Sequence, residues 1–196
     1  MKNTIENTKS NHCTLKVNQQ ERINTLVQAE NYKFWLGGFA EGEGALVVSV
    51  TKSNKVNNKI ILQPEFNVAE HEKGLNILHS YKAMFNNFGQ MNKKSGSDKV
   101  WVYSLKGTNN IKNFVIPFFE KYILPYSCKY NELTFKDYCF IINKLFENNR
   151  KTMDKETLIG LVKIAYTLNP DGKGKHRKRT LEQVIDIINN ASITQA

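Results

Sequence analysis

The sequence predicts an α+β fold, a four-stranded antiparallel sheet with helices on one face. Two observations predict it. The first is the order of periodicities from Asn31 onward: helical, alternating, alternating, helical, then two short strands joined by a Ser-Gly-Ser-Asp turn at Ser95 to Asp98. The second is composition. With 40% apolar and 11% aromatic residues, 196 residues can fill one core. The longest apolar runs, such as Ala45 to Val50, fall far short of the roughly 20 residues that span a bilayer, so a soluble protein with no membrane partner is expected.

Residues 1–29 are polar and read as a mobile N-terminal arm, with a short helix near Gln20 to Ala29. Residues 30–190 read as one domain and 191–196 as a tail. Asn31 is the expected N-cap of a helix whose apolar residues are Phe34, Trp35, Leu36, Phe39 and Ala40, and which stops in the glycines around Glu43. Ala45 to Lys52 is Val-rich and alternates, with Leu46, Val48 and Val50 on one face and Val47, Ser49 and Thr51 on the other. After a polar connection from Ser53 to Lys59, Ile60 to Ala69 alternates again. Leu62, Pro64, Phe66 and Val68 point one way; Gln63, Glu65 and Asn67 point the other and offer groups that can read base edges. A helix follows over Glu72 to Phe85, then strands at Gly89 to Lys94 and Lys99 to Leu105. Further helices are expected at Asn110 to Tyr122, Tyr130 to Phe146, Lys155 to Leu168 and Leu181 to Asn189. Before the last lies a loop with Lys173, Lys175, Arg177, Lys178 and Arg179, suited either to phosphate contact or to a solvated or targeting segment.

The formal charge is +10, from 28 Lys+Arg against 18 Asp+Glu. Such an excess favours a polyphosphate partner, nucleic acid first, with a ribosomal or membrane-surface role as the alternatives. All but four of the basic residues are Lys, and Asn is as frequent, which suits an A/T-rich genome such as an organelle's. Cys13, Cys128 and Cys139 form no paired framework, and His12, His71, His79 and His176 show no zinc-ligand spacing. The first residues show neither an apolar signal core nor an Arg-rich presequence.

The segment Trp35 to Gly44, WLGGFAEGEG, carries the chemistry. Each Gly costs a helix roughly 1 kcal/mol relative to Ala, so something must offset them. Gly38 and Gly42, four apart, would let another helix backbone approach closely; ordinary packing within one chain would use them equally well. Glu43 falls at the negative end of the helix dipole, a poor place for a carboxylate. Two such helices about a twofold axis would bring two Glu43 carboxylates together. A hard divalent cation would relieve both problems, and it is what phosphodiester hydrolysis needs.

Leu36 to Gly44, LGGFAEGEG, resembles the LAGLIDADG motif of homing endonucleases. The likeness extends over roughly Tyr32 to Asn190. PEFNVAEHEKG (Pro64 to Gly74), KKSGS (Lys93 to Ser97) and VIPFFEKY (Val115 to Tyr122) resemble the branch encoded in group I introns of organellar large-subunit rRNA genes. The resemblance implies an αββαββα core with additional C-terminal helices. One motif copy implies a homodimer whose motif helices meet through Trp35, Gly38, Phe39 and Gly42. It makes Glu43 the metal ligand, with the Gly42 carbonyl beside it and Mg²⁺ or another hard divalent cation as cofactor. Glu41 matches the first acid, usually structural. Glu70 stands where the family often has Gln near the attacking water, so it either orients water or metal or is a surface acid that starts the next helix. Lys129, with Lys121 in reserve, matches the basic residue near the scissile phosphate. Strand residues expected to face double-stranded DNA are Ser49, Thr51, Gln63, Glu65, Asn67, Lys94 and Trp101, with Lys52, Lys55, Lys59 and Lys93 near phosphates.

The resemblance implies an organelle-encoded, metal-dependent nuclease of the mitochondrion or chloroplast. It would cut a long pseudo-palindromic site, an intronless rRNA gene, to promote intron homing. Two other classes compete: a maturase that binds its host intron RNA without cutting DNA, and a DNA-binding regulator. The acid at Glu43 favours the nuclease, because neither alternative needs it.

Overall fold

A computed structural model describes residues 17–148, 153–168 and 177–191. Helix α1 (Val17–Leu26) and helix α2 (Glu30–Glu43) lead into strands β1 (Gly44–Lys52) and β2 (Ile60–His71). A short 3₁₀ turn and helix α3 (Leu75–Met84) precede strands β3 (Gln90–Lys93) and β4 (Val100–Lys106). A single α-turn, α4 (Thr108–Asn110), a π-turn and α5 (Ile116–Tyr122) run on as one helix, followed by α6 (Lys129–Glu147), α7 (Lys155–Thr167) and α8 (Leu181–Asn189). The four strands form one antiparallel sheet in the order β1-β2-β4-β3, so the α+β class and its sheet are as expected. No described helix is long and apolar enough to cross a membrane.

The core fills one side of the sheet. Leu46, Val48, Leu62, Phe66, Val68, Tyr103 and Leu105 are buried there against the helices. Phe66 sits at its centre, edge-on to Tyr81, Phe85 and Phe119 at 5.6–6.1 Å between ring centres, the tilted geometry that aromatic quadrupoles favour. Pro64 is tolerated in a central strand for a local reason. Its carbonyl accepts from Gly107 N on the β4 side, just past the last β2–β4 rung, Glu65 opposite Lys106. Its ring nitrogen faces the same way, away from β1 and beyond the end of β4, so the missing N–H removes no bond from the β1–β2 ladder.

Several expectations shift. The chain is packed from residue 17, not mobile to residue 29: α1 docks on α3 and buries Ile23 and Val27, since a polar helix needs only a narrow apolar stripe to adhere. Asn31 is not the N-cap. The helix begins two residues earlier, after Ala29, and the Asn31 side chain accepts from the next N–H, Tyr32. Strand β2 runs on to His71, so Glu70 lies in a strand and does not start a helix.

The C-terminal loop divides. Lys173 and Lys175 lie outside the described residues, whereas Arg177 is committed to the fold. It donates to Val48 O (3.3 Å) and to Ala165 O (2.5 Å) and stacks over Tyr166 at 4.4 Å. Ala165 O is among the carbonyls left over at the end of α7. Arg177 is thereby removed from any phosphate-binding set.

Candidate functional site

Helix α2 has two contrasting sides. Leu36, Gly37 and Ala40 face inward, where a Cβ on Gly37 would stand 2.6 Å from Tyr122 O, so only glycine permits that approach. On the other side lie Trp35, Gly38, Phe39 and Gly42, spaced three and four apart. Trp35 is 49% exposed, and a Cβ on Gly38 or Gly42 would meet no atom within 4 Å. Packing within the described chain therefore explains Gly37 and leaves Gly38 and Gly42 unexplained. Phe34 and Tyr126, in edge contact at 5.9 Å, extend the exposed aromatic surface, which is larger than scattered surface apolars require.

Three sets of bonds hold α2 in place. At its start Glu30 accepts from Lys121 Nζ (2.7 Å) and Tyr122 OH (2.6 Å), and these bonds hold its carboxyl below the ordinary range. In its middle Tyr81 OH donates to Leu36 O. Near its end Glu41 Oε1 accepts from Ser127 Oγ (2.6 Å) and Asn131 Nδ2 (3.1 Å). Glu41 thus has a structural role, tying the last turn of α2 to the start of α6.

Glu43 closes α2 and is exposed; Gly44 begins β1 at once, its N–H donating to Ala40 O. The helix end leaves the Gly42 carbonyl without an intrahelical donor, beside the Glu43 carboxylate. These are hard oxygen donors, the kind that Mg²⁺ or Ca²⁺ takes. One chain supplies only part of a coordination sphere, because no three His, Cys, Asp or Glu side chains converge among the described residues. The donor set fits a hard cation whose remaining ligands come from elsewhere.

The register places the other candidates. Gly44 pairs with Val68, so Glu70 lies two residues beyond the rung where β1 starts, near Glu43 in backbone position. Its side chain packs over Gly74 and its Oε1 accepts from His71 N (2.6 Å). Lys129 opens α6, two residues from the Ser127 that holds Glu41, hence at the Glu43 end of α2; its ammonium pairs with Glu132 at 2.8 Å. Lys121 is at the opposite end. It pairs with Glu30, thirteen residues before Glu43 on one helix, or roughly 20 Å at 1.5 Å per residue, and so drops out as the reserve.

On the side of the sheet away from the core, alternation and register align Ala45, Val47, Ser49 and Thr51 of β1 with Gln63, Glu65 and Asn67 of β2. Ser49 lies opposite Gln63. Lys52 ends β1, and Lys55 and Lys59 sit in the connection, closed by Ser53 N donating to Lys59 O (2.8 Å). Lys94 falls on the same open face, just past β3.

Trp101 and Lys93 do not. They are opposite one another and in phase with Tyr103 and Met91, so both lie on the helix side, with Lys93 Nζ 6.0 Å from the Trp101 ring centre. The open-face residues of these strands are Gln90, Asn92, Ser104 and Lys106. Simple alternation could have found them, since Trp101, Tyr103 and Leu105 are the apolar set of β4. Ser104 Oγ donates to Asn67 Oδ1 (2.6 Å) and Lys106 Nζ stands 3.6 Å from Glu65 Oε1.

The chain is similar to DNA endonuclease I-CeuI of Chlamydomonas moewusii, 31% identical over 106 residues, which are 54% of this chain and 48% of that relative. It thus spans about half of that curated relative. The group I intron-encoded homing endonuclease I-CeuI complexed with DNA superposes with a TM-score of 0.69 at 22% identity, covering 89% of this chain and 96% of the other. The archaeal intron-encoded homing endonuclease I-Vdi141I complexed with DNA gives 0.69 at 26% identity, covering 82% and 97%. The LAGLIDADG endonuclease family model matches residues 36–142, from the buried side of α2 through the sheet to the middle of α6. That match takes in more than half of the chain, and the chain belongs to the LAGLIDADG endonuclease family.

Proposed function

We propose that this chain is one half of a homodimeric homing endonuclease that uses Mg²⁺ to cut both strands of a long pseudo-palindromic DNA site. That site is an intronless rRNA gene of the mitochondrion or chloroplast that encodes the protein. The observation that carries this reading is the pairing of Glu43 with the open glycine face: the acid stands at the end of a helix whose outward glycines, Gly38 and Gly42, have no described residue packed against them. A second copy packed there would place two Glu43 carboxylates beside one twofold axis.

Each subunit would set the open face of its sheet in the major groove. From Gly44 to Lys52, β1 covers eight steps of roughly 3.3 Å, about 26 Å, or nearly eight base-pair steps. Lys52, Lys55 and Lys59 lie at the far end of that reach, where phosphates would be met, and the +10 charge of each subunit supports salt-dependent affinity. At the near end, Glu43 and the Gly42 carbonyl would hold the cation, which when bound supplies hydroxide and stabilises the developing oxyanions. Glu41 keeps the start of α6 against α2, and with it Lys129 at the same end, from where the ammonium can leave Glu132 for a phosphate. Glu70 would orient the water from the neighbouring strand.

The test is cleavage by purified protein with Mg²⁺ of plasmids carrying intron-free or intron-interrupted rRNA gene segments. Cutting of the uninterrupted segment alone is expected. Glu43→Gln should lower the cutting rate on the order of 10³-fold or more while leaving DNA binding within a fewfold. A Glu43→Gln protein that cuts normally would remove Glu43 from the reaction. Assisted splicing of the host intron RNA with no metal-dependent cut would replace the nuclease by a maturase.

A further inference from the structure

The open face of the sheet carries a histidine that neither the motif nor the proposed cutting reaction accounts for. Strand β2 alternates through Gln63, Glu65 and Asn67 to Ala69 and His71, its last residue, so His71 lies on the open face while Glu70 lies on the helix side with Trp101. Pairing continues one step past it, Glu72 N donating to Lys99 O at 2.7 Å, which keeps that phase to the end of the strand. His71 is opposite Val100, and on the other flank of Val100, whose carbonyl accepts from Lys94 N (2.8 Å), stands Lys94. One rung outward lie Ala69 and Val102. His71 and Lys94 are thus the polar ends of one rung, with short apolar side chains between and beside them. That rung is three residues past Val68, the partner of Gly44, or roughly 10 Å at 3.3 Å per residue, and so belongs to the Glu43 end of the sheet.

The imidazole is also held in place. His71 is partly exposed, and its Nδ1 accepts from Lys73 N at 3.2 Å, closing the turn that follows β2. A neutral ring that accepts at Nδ1 carries its proton on Nε2, and among the described residues nothing accepts from Nε2. Capping explains one nitrogen and leaves the other as a fixed donor on the face proposed to meet DNA. We propose that His71 is a further DNA-binding residue, its Nε2–H donating to a backbone phosphate at the inner end of each half-site, with Lys94 as its cationic neighbour on the same rung. The inference rests on the proposed DNA-cutting function and deepens it. A phosphate suits this donor better than a base edge, because the donor has no acceptor beside it for bidentate reading. Phosphate contacts fix the register of a protein on the duplex. At the inner end, such a bond would set where the backbone lies relative to Glu43 and so align the scissile phosphate without entering the reaction.

The experiment separates the two nitrogens. His71→Asn keeps a good cap, with a side-chain oxygen for Lys73 N, but reaches less far than the imidazole; His71→Lys loses the cap and keeps a donor. The full-chain variants are tested on the rRNA gene segment that the wild type cuts, intact or with one phosphate at a time replaced by a neutral methylphosphonate. His71→Asn should unfold within about 1 °C of the wild type and yet bind about tenfold more weakly, with its preference among base pairs unchanged. His71→Lys should unfold at a lower temperature and bind at least as tightly as the wild type, with a steeper salt dependence. One methylphosphonate at the inner end of each half-site should weaken the wild type about tenfold and His71→Asn hardly at all, the coupling expected of a direct contact. A His71→Asn protein that binds and cuts like the wild type makes the histidine a cap alone and overturns the inference. Weaker binding with no coupled phosphate overturns it, and so does a loss confined to particular base pairs, which would make the contact a base edge. Failure of the wild type to bind or cut any intact duplex would refute the nuclease reading instead, a different outcome from cutting that His71→Asn leaves unmoved.

Discussion

Replacing Gly38 by Gln sets two consequences of the same side chain against each other. In one subunit the position is a helix interior with no atom within 4 Å of a Cβ, so the new Cβ meets no clash in the described chain. It exchanges glycine for a good helix former, which is worth roughly 0.5–1 kcal/mol to the fold. For a chain of this size that raises Tm by about 1–4 °C, measured at a dilution where subunits are apart. In the proposed dimer the same atoms stand where two backbones must approach. They would force the α2 helices apart and carry each Glu43 away from its counterpart. Sedimentation equilibrium should show self-association weakened by on the order of 100-fold, and the plasmid assay a comparable loss of cutting. The signs are therefore opposite: a more stable subunit and a poorer enzyme. A Gly38→Gln protein that associates and cuts like the wild type would refute the assignment of this face to the dimer, because a solvent-facing glycine would yield the stability gain alone.

The adjacent glycine should behave in the reverse way. Gly37→Ala puts a methyl 2.6 Å from Tyr122 O, a backbone atom that cannot swing aside; overpacking of about 1–3 kcal/mol outweighs the propensity gain of roughly 1, and a lowered Tm in thermal unfolding is expected. The two described cysteines are free, and they should differ in reactivity. Burial disfavours the Cys139 thiolate and pushes its pKa up to about 12, so near pH 8 only about one molecule in ten thousand carries it. Peptide mapping after alkylation should find exposed Cys128 modified and Cys139 modified only in denaturant. Equal labelling in the native protein would mean that α6 does not pack as described.

Much of the architecture was legible because two periods are hard to confuse. The alternation in β1 and β2 assigned Leu46, Val48, Leu62 and Phe66 to the core and Ser49, Gln63, Glu65 and Asn67 to the other face, and the register bears this out. The same rule applied to β4 would have sent Trp101 inward with Tyr103 and Leu105. An amphipathic ring beside lysines suggests a nucleic-acid contact, but its phase along the strand decides the face. Arg177 was illegible for a different reason. Its neighbours in sequence are basic, while the carbonyls it serves belong to Val48 and Ala165, and no local pattern predicts a partner so far along the chain. The early docking of α1 on α3 is likewise non-local. At the motif, the sequence showed too many glycines for one helix, but only coordinates separate Gly37, used within the chain, from Gly38 and Gly42, left open.

The bond from Arg177 to Val48 O has a consequence for how the protein behaves at high concentration. Pro64, opposite Val48, turns its carbonyl toward β4, so the Val48 carbonyl points outward from the free border of the sheet. An unguarded border of this kind invites a strand from another molecule, and successive additions have no natural end. Arg177 occupies that acceptor with a charge, and the opposite border, β3, is only four residues long and closes on Lys93. Association by strand addition is discouraged at both margins. What remains is the glycine face of α2, which in the proposed dimer packs on its own copy about a twofold axis and saturates at two copies. A chain with a charge of +10 is thereby kept from growing into open-ended assemblies on the DNA proposed as its template.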